Sequence, residues 1–224
     1  DPSENNKFFL WHTWFSDVFN RDNKEGFDIV IGNPPYVVIG RTDEFKYIYD
    51  NKFVVANGGK RNLYHLFFEQ GINILKDNGI LSFITPDTYF GGNDTTSLRK
   101  LLVENTYIRS IIHYSEKDKI FDNVTQALAV IVLLKQNPGG DFIILDSGKH
   151  NLIEYKNLTS KTKYVFKSNN AVIEKIKESK ITFGDICMGF QGEVNVSTKK
   201  NFIVNKQFEG SFPLIRGVQI AKYS

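Results

Sequence analysis

The sequence predicts an α/β fold: an open sheet with helices between its strands, followed by the start of a β-rich region. Three observations carry this. Short apolar, β-branched runs alternate with runs of helical period. Gly and Pro end the first two strands abruptly. Past residue 165 the pattern changes to Gly, Phe and Val separated by turn signals. Two parts follow from that change, 1–165 and 166–224.

Phe27-Asp28-Ile29-Val30-Ile31 is a buried strand closed by Gly32 and two prolines. In α/β folds, chemistry sits beyond such C-terminal strand ends. Residues 40–61 are polar and rich in Gly and Lys, a connection of functional length. From Leu63 to Leu75, two apolar rows recur at helical spacing, Leu63/Phe67/Ile74 and Tyr64/Phe68/Ile72/Leu75. Asp77-Asn78-Gly79 stops that helix. A second strand, Ile80 to Thr85, ends at Pro86. Thr95 or Thr96 caps a helix to about Glu104, and strands follow at Ile108–His113 and Ala127–Leu134. No helical crossover fits between these last two, so they are antiparallel neighbours. The parallel strands call for helices on both faces. A turn at Asn137-Pro138-Gly139-Gly140, a short β-rich stretch and a helix at Ala171–Glu178 lead into a Gly- and Phe-rich region from Ile181 to Ser224.

Composition sets limits on function. Of 224 residues, 41% are hydrophobic and 24% charged, which argues against disorder and against a membrane protein. No apolar run approaches the roughly 20 residues of a transmembrane helix, and the N-terminus lacks the pattern of a signal peptide, so a cytoplasmic location is expected. Cys187, the sole cysteine, reads as a small buried hydrophobe. His12, His65, His113 and His150 lack ligand spacing, so no metal is expected. Net charge is −2 over residues 1–140 (15 Lys+Arg, 17 Asp+Glu) and +5 over 141–224 (13 against 8). That excess suits solvated lysines and a phosphate-binding face equally.

Asn33-Pro34-Pro35-Tyr36 carries the chemistry. The prolines fix φ and push the residue before each towards extended backbone, making a stiff arm. The arm presents two acceptors, the Asn33 side chain and the Pro34 carbonyl, beside the flat face of Tyr36. Two acceptors next to a π surface suit an aromatic amine. The exocyclic amine of adenine is a weak nucleophile; accepting both its hydrogens favours a pyramidal nitrogen whose lone pair can reach a sulfonium methyl group. In duplex DNA the base must be flipped out to reach this geometry, and stacking on Tyr36 offsets part of the cost.

The run from Gly26 to Val37, GFDIVIGNPPYV, resembles motif IV of amino-methyltransferases in the form typical of the adenine-N6 group. Asn62-Leu63-Tyr64 and the run Gly79–Phe90 resemble the next motifs of gamma-class DNA methyltransferases related to the TaqI methyltransferase, a family that includes Eco57I-like fused restriction-modification enzymes. The resemblance covers roughly residues 8–136. It implies a Rossmann-like methyltransferase sheet, S-adenosylmethionine as cofactor and double-stranded DNA as substrate. It also places Phe121 as a second aromatic stacking on the flipped base, and Asp17 beside the cofactor's adenine, where a surface acidic residue is an equal alternative. Gly184-Asp185-Ile186, Gly189, Gly192 and the run Pro213–Tyr223 resemble the start of a target-recognition domain, with Arg216 either a phosphate contact or an internal ion pair.

One departure is large. The family's glycine-rich cofactor loop and ribose-binding acid do not occur upstream of Asn33, and Gly58-Gly59, Gly91-Gly92 and Gly139-Gly140 do not join a strand to a helix in the required way. The chain is therefore expected to supply the second half of the catalytic sheet. The first half is assigned to a missing N-terminal segment or a partner chain. The same motif also occurs in protein-glutamine and ribosomal-RNA methyltransferases, and a silent DNA-binding fragment is a third reading. The roughly 80 residues after the sheet, with their positive charge, favour a DNA reader.

Overall fold

A computed structural model describes residues 10–22, 24–40, 51–56, 61–122 and 125–166, together with Ile181. The chain divides into two compact units, 1–173 and 174–224. The described residues other than Ile181 belong to the first. The helix expected at Ala171–Glu178, Cys187 and the region beyond Ile181, with Arg216, lie outside the described residues.

Two single-turn helices, α1 (Trp11–Trp14) and α2 (Ser16–Phe19), precede strand β1 (Phe27–Gly32). Helix α3 (Leu63–Ile74) leads directly into β2 (Leu75–Pro86), and α4 (Thr96–Asn105) into β3 (Tyr107–Tyr114). Strands β4 (Leu128–Leu134), β5 (Phe142–Asp146) and β6 (Lys149–Ile153) complete a six-stranded sheet of order β1-β2-β4-β3-β5-β6. β1 runs parallel to β2 and β3 to β5; β4 is antiparallel to both β2 and β3, as the missing crossover implied.

Helix α3 forms as its two rows predict. Asn62 caps it, accepting from the Tyr64 amide at 3.4 Å. Tyr64, Phe68, Ile72 and Leu75 are buried in the core, whereas Leu63, Phe67 and Ile74 line a cavity beside β1. The helix stops earlier than Asp77-Asn78-Gly79 suggests. Leu75 is already extended, because its carbonyl accepts from the Lys135 ammonium at 2.7 Å and it pairs with Phe27. The Asp-Asn-Gly run instead forms an irregular opening to β2: Asn78 takes a left-handed φ of 60°, and pairing with β1 skips from Phe27–Leu75 to Ile29–Ile80. Gly26, at φ +109°, lies so close to this bend that a Cβ would stand 2.5 Å from the Lys76 nitrogen. Asp28 receives the Lys76 ammonium at 2.6 Å and the Arg21 guanidinium at 3.0 Å, which hold its carboxyl down to about pKa 2.

Helix α4 starts at Thr96 as expected, but neither threonine caps it through its side chain. Thr95 Oγ1 donates to the Gly92 carbonyl at 2.9 Å and accepts from Arg99 at 2.7 Å. Arg99 is fully buried and forms no ion pair with a carboxylate among the described residues. Its guanidinium donates to the carbonyls of Tyr89, Gly92 and Lys163 at 2.8 to 2.9 Å, closing the 87–95 loop onto the segment at 163.

Both crossovers, β1-α3-β2 and β2-α4-β3, proceed across the sheet in one direction. Right-handed connections then put both helices on the same face. One core results, joining Tyr64, Phe68 and Leu102 to Leu81, Phe83, Ile111, Ile131 and Leu133. α3 and α4 supply the helices expected on this face; the second face lies opposite them. Its residues form rows across the strands, Ile29–Ile80–Leu134, then Ile31–Ser82–Val132–Ser110–Ile143–Leu152, then Ile84–Val130–Ile112–Leu145.

His65 on α3 is 3% exposed, its Nε2 without a partner among the described residues, and burial depresses its pKa from 6.5 to about 4. The folded chain keeps this ring neutral, so below pH 6.5 the unfolded state binds the extra proton. Stability should therefore fall by up to about 3 kcal/mol as pH drops from 6.5 to 4. Urea midpoints of wild type and His65→Phe should converge in shape above pH 6.5, and only wild type should decline through that window. Parallel profiles would contradict this.

Candidate functional site

The site is built where β1 stops. Pairing between β1 and β2 runs only as far as Gly32–Phe83. Gly32 is packed against the Phe83 ring, 3.4 Å from where a Cβ would sit. Asn33 and Pro35 then project to solvent, while Pro34 is buried. Tyr36 turns back towards the sheet: its hydroxyl donates to the Ile84 carbonyl at 3.1 Å, one residue past the last β1–β2 pair. Partial burial raises its pKa above the ordinary value. Its ring meets Tyr64 edge-on, with centroids 6.5 Å apart, and Tyr64 in turn bonds Thr88 Oγ1 at 3.0 Å. Burial pushes the Tyr64 hydroxyl up to about 12, so both phenols stay neutral at ordinary pH.

Beside Asn33 and Pro34 lies a mostly apolar cavity of about 450 Å³ along the free side of β1. Trp11, Val30, Phe53, Leu66, Phe67 and Phe83 form its walls, and Gln70 adds a polar group. Phe53 is held there by Glu69, which sequence reasoning did not single out. The Glu69 carboxylate is buried on α3 and accepts from the amides of Val54 and Val55 at 3.0 and 2.9 Å. The long connection after the motif is also stitched at its ends: Ile39 donates to Arg61, Leu63 donates to Val37, and Val38 bridges Asn62. A signal for Glu69 existed, an acidic residue one step from the apolar row on a helix, but position alone did not distinguish it from a solvated one.

A second unanticipated group occupies the strand ends beyond Tyr64. His113 Nε2 lies 3.0 Å from Asp87, at the end of β2, and its Nδ1 3.2 Å from Asp146, at the end of β5. The hydrogen bond to His113 draws the Asp146 carboxyl below its usual value. Among the described residues no group of His, Cys, Asp and Glu is arranged to hold a metal ion. No helix among them is long and apolar enough to cross a membrane.

The other sequence-derived residues are less concentrated. Phe121 is 37% exposed in the turn after β3, and among the described residues the ring that meets Tyr36 is Tyr64. Asp17 is exposed on α2 and does not line the cavity. Gly91-Gly92 lies in the β2–α4 connection, separated from the strand by the turn at 87–90 and from the helix by a second turn, and Gly139-Gly140 precedes β5; Gly58-Gly59 lies outside the described residues.

The fold matches part of a solved type IIG restriction endonuclease, BpuSI, with a TM-score of 0.50 and 19% identity, over 62% of this chain and 20% of that one. The α/β sheet thus shares the fold of that part of the enzyme. The family model of Eco57I restriction-modification methylases matches residues 1–121, and the chain belongs to that family. It is 32% identical over 115 residues to the type II restriction enzyme and methyltransferase RM.Eco57I of Escherichia coli, covering 50% of this chain and 11% of that protein. It is 27% identical over 207 residues to the type II methyltransferase M.CvrRI of Paramecium bursaria Chlorella virus XZ-6E, covering 92% of this chain and 49% of that one. The chain thus spans half or less of the length of these relatives.

Glu69→Ala leaves two amides, those of Val54 and Val55, without their acceptor. It should lower stability by about 2 to 4 kcal/mol in urea denaturation. Hydrogen exchange at the Val55 amide should also rise more than at Leu81, which is remote from the clamp. Uniform acceleration, or a stability change within about 0.5 kcal/mol, would show that the carboxylate does not hold this wall.

Proposed function

We propose that this chain is the substrate-side half of an S-adenosylmethionine-dependent methyltransferase acting on N6 of adenine in DNA, within a restriction-modification or phage-defence system. The observation that supports it most is the stiff exposed arm at Asn33, set on the cavity wall with Tyr36 anchored behind it. Family membership supports methyl transfer to DNA. The form Asn-Pro-Pro-Tyr supports adenine N6.

In this reading Asn33 Oδ1 and the Pro34 carbonyl accept the two hydrogens of the flipped adenine amine. That removes electron demand from the ring and aims the nitrogen lone pair. The buried Pro34 and the Tyr36–Ile84 bond keep the acceptors fixed, so little reorganisation accompanies the reaction. Tyr36 offers its face to the base and Phe121 closes from the opposite side, each worth about 1 to 3 kcal/mol of stacking. The amine proton leaves to solvent once the nitrogen carries its new methyl group.

S-adenosylmethionine, when bound, supplies the electrophilic methyl group. The residues present fit one edge of it: Asn33, Pro34 and the apolar cavity can hold its aromatic or aliphatic parts, with Asp17 assigned to its adenine. The described residues offer no loop of converging amides for its carboxylate and no acid for its ribose. A preceding segment or a partner chain completes that half of the site. Residues from 166 onward, with Arg216 on a phosphate, begin the recognition domain for double-stranded DNA.

Asn33→Ala in the protein carrying this chain should reduce methyl transfer by at least about 100-fold, because one acceptor of the reacting amine is lost. DNA affinity should stay within a few-fold, since phosphate contacts are untouched. Tritiated methyl transfer and fluorescence anisotropy on one DNA duplex measure the two. Equal losses of rate and of binding would overturn the assignment.

A further inference from the structure

At the C-terminal strand ends, one side chain joins elements that the ladder leaves apart. β2 and β3 are not neighbours, since β4 lies between them. His113 of β3 nevertheless places Nε2 3.0 Å from Asp87, just past β2, and Nδ1 3.2 Å from Asp146 at the end of β5. Ala129, which pairs with Thr85 on one side and His113 on the other, is small enough for the first contact to pass over it. The two ring nitrogens lie on different sides of a rigid ring, so His113 reaches two carboxylates at once, where an amide side chain offers donors on one side only. Its ring also meets Phe90, with centroids 5.8 Å apart, so it touches both ends of the turn Asp87–Phe90. Within that turn Thr88 Oγ1 bonds the Tyr64 hydroxyl at 3.0 Å, and the Tyr64 ring packs edge-on against Tyr36.

We propose that His113 is a positioning residue for methyl transfer: by clasping Asp87 and Asp146 it fixes the turn whose Thr88 sets Tyr64, and so the angle at which Tyr36 meets the target base. Exposure separates this role from bulk stabilisation. The side chains of His113, Asp87 and Asp146 are 17%, 30% and 43% exposed, and ion pairs open to water add little to global stability. The core is packed elsewhere, by Tyr64, Phe68, Leu81 and Ile131. What the clasp adds is a fixed place for one turn, and a misplacement of about 1 Å in a positioning group can cost about 100-fold in rate. This role rests on the reading of Tyr36 as the face that meets the substrate, and it holds for whichever planar amine is methylated.

His113→Gln in the complete protein carrying this chain, labelled with fluorotyrosine, tests it. Methyl-transfer kinetics should show kcat lower by about 10- to 100-fold, with KM for the DNA duplex within a few-fold. The fluorine NMR signals of Tyr36 and Tyr64 should shift, while that of Tyr107, at the opposite end of β3, stays in place. Asp87→Asn should reproduce both effects, and the double variant should be no slower than the slower single one, because the two residues act through one contact. Asp146→Asn keeps the Asp87 contact and should give a smaller loss of the same kind; it carries the test if His113→Gln does not fold. Unmoved Tyr36 and Tyr64 signals overturn the role, as do an unchanged kcat or rate losses that multiply in the double variant. A smaller active fraction at unchanged kcat, read from single-turnover amplitudes, means structural support only and also overturns it. Transfer by the unaltered protein to an amine other than that of adenine sinks the adenine reading alone, and the same kcat comparison on that amine then decides the role of His113.

Discussion

The hydrogen bond from the Tyr36 hydroxyl to the Ile84 carbonyl is the contact on which the site depends. Two prolines end β1, and its ladder with β2 stops at Gly32–Phe83. The ladder leaves the part-buried Ile84 carbonyl without a β1 donor, and the tyrosine four residues past the strand end supplies one. The same bond returns the motif to the sheet. Asn33 and Pro35 remain outside while Pro34 and the Tyr36 ring are drawn in, so one side-chain contact both satisfies the backbone and aims the exposed amide.

The support behind Tyr36 is polar and continuous along the strand ends. Tyr36 meets Tyr64, Tyr64 bonds Thr88, and the neighbouring Asp87 reaches His113, which is also in contact with Asp146. The turn after β2 is thereby held from two directions, while Arg99 closes its far end through backbone carbonyls. Around the cavity, Glu69 does for Phe53 what Ile84 does for Tyr36. The pattern is a rigid rim set on the C-terminal ends of the strands, where α/β sheets place their ligands.

Much of this was legible in the sequence, and the reasons differ by element. The strands at Phe27 and Ile80 were readable because apolar runs ended by Gly or Pro have few alternatives, those at Ile108 and Ala127 because their runs are short and apolar, and the antiparallel β3–β4 pair followed from the absence of a crossover. The row Tyr64/Phe68/Ile72/Leu75 marked the core side of α3. The end of α3 was misread because Asp-Asn-Gly stops helices and also opens irregular strands; the Lys135 contact that decides between them is 60 residues away. Which face a crossover covers is a property of strand order, so the placement of α3 and α4 on one side could not be read from the strands alone. Asn33 and Tyr36 were legible because prolines constrain their neighbours locally. Glu69, His113 and Arg99 were not, since each acts through partners distant in sequence.

In the proposed function this exposed asparagine and its tyrosine serve an exocyclic adenine amine. Nucleoside mass spectrometry of DNA treated with the complete protein and isotopically labelled S-adenosylmethionine tests it most directly. The label should appear in N6-methyladenine, at one sequence context, and disappear with an Asn33→Ala protein. Label in N4-methylcytosine, or in protein or RNA with none in DNA, would contradict it.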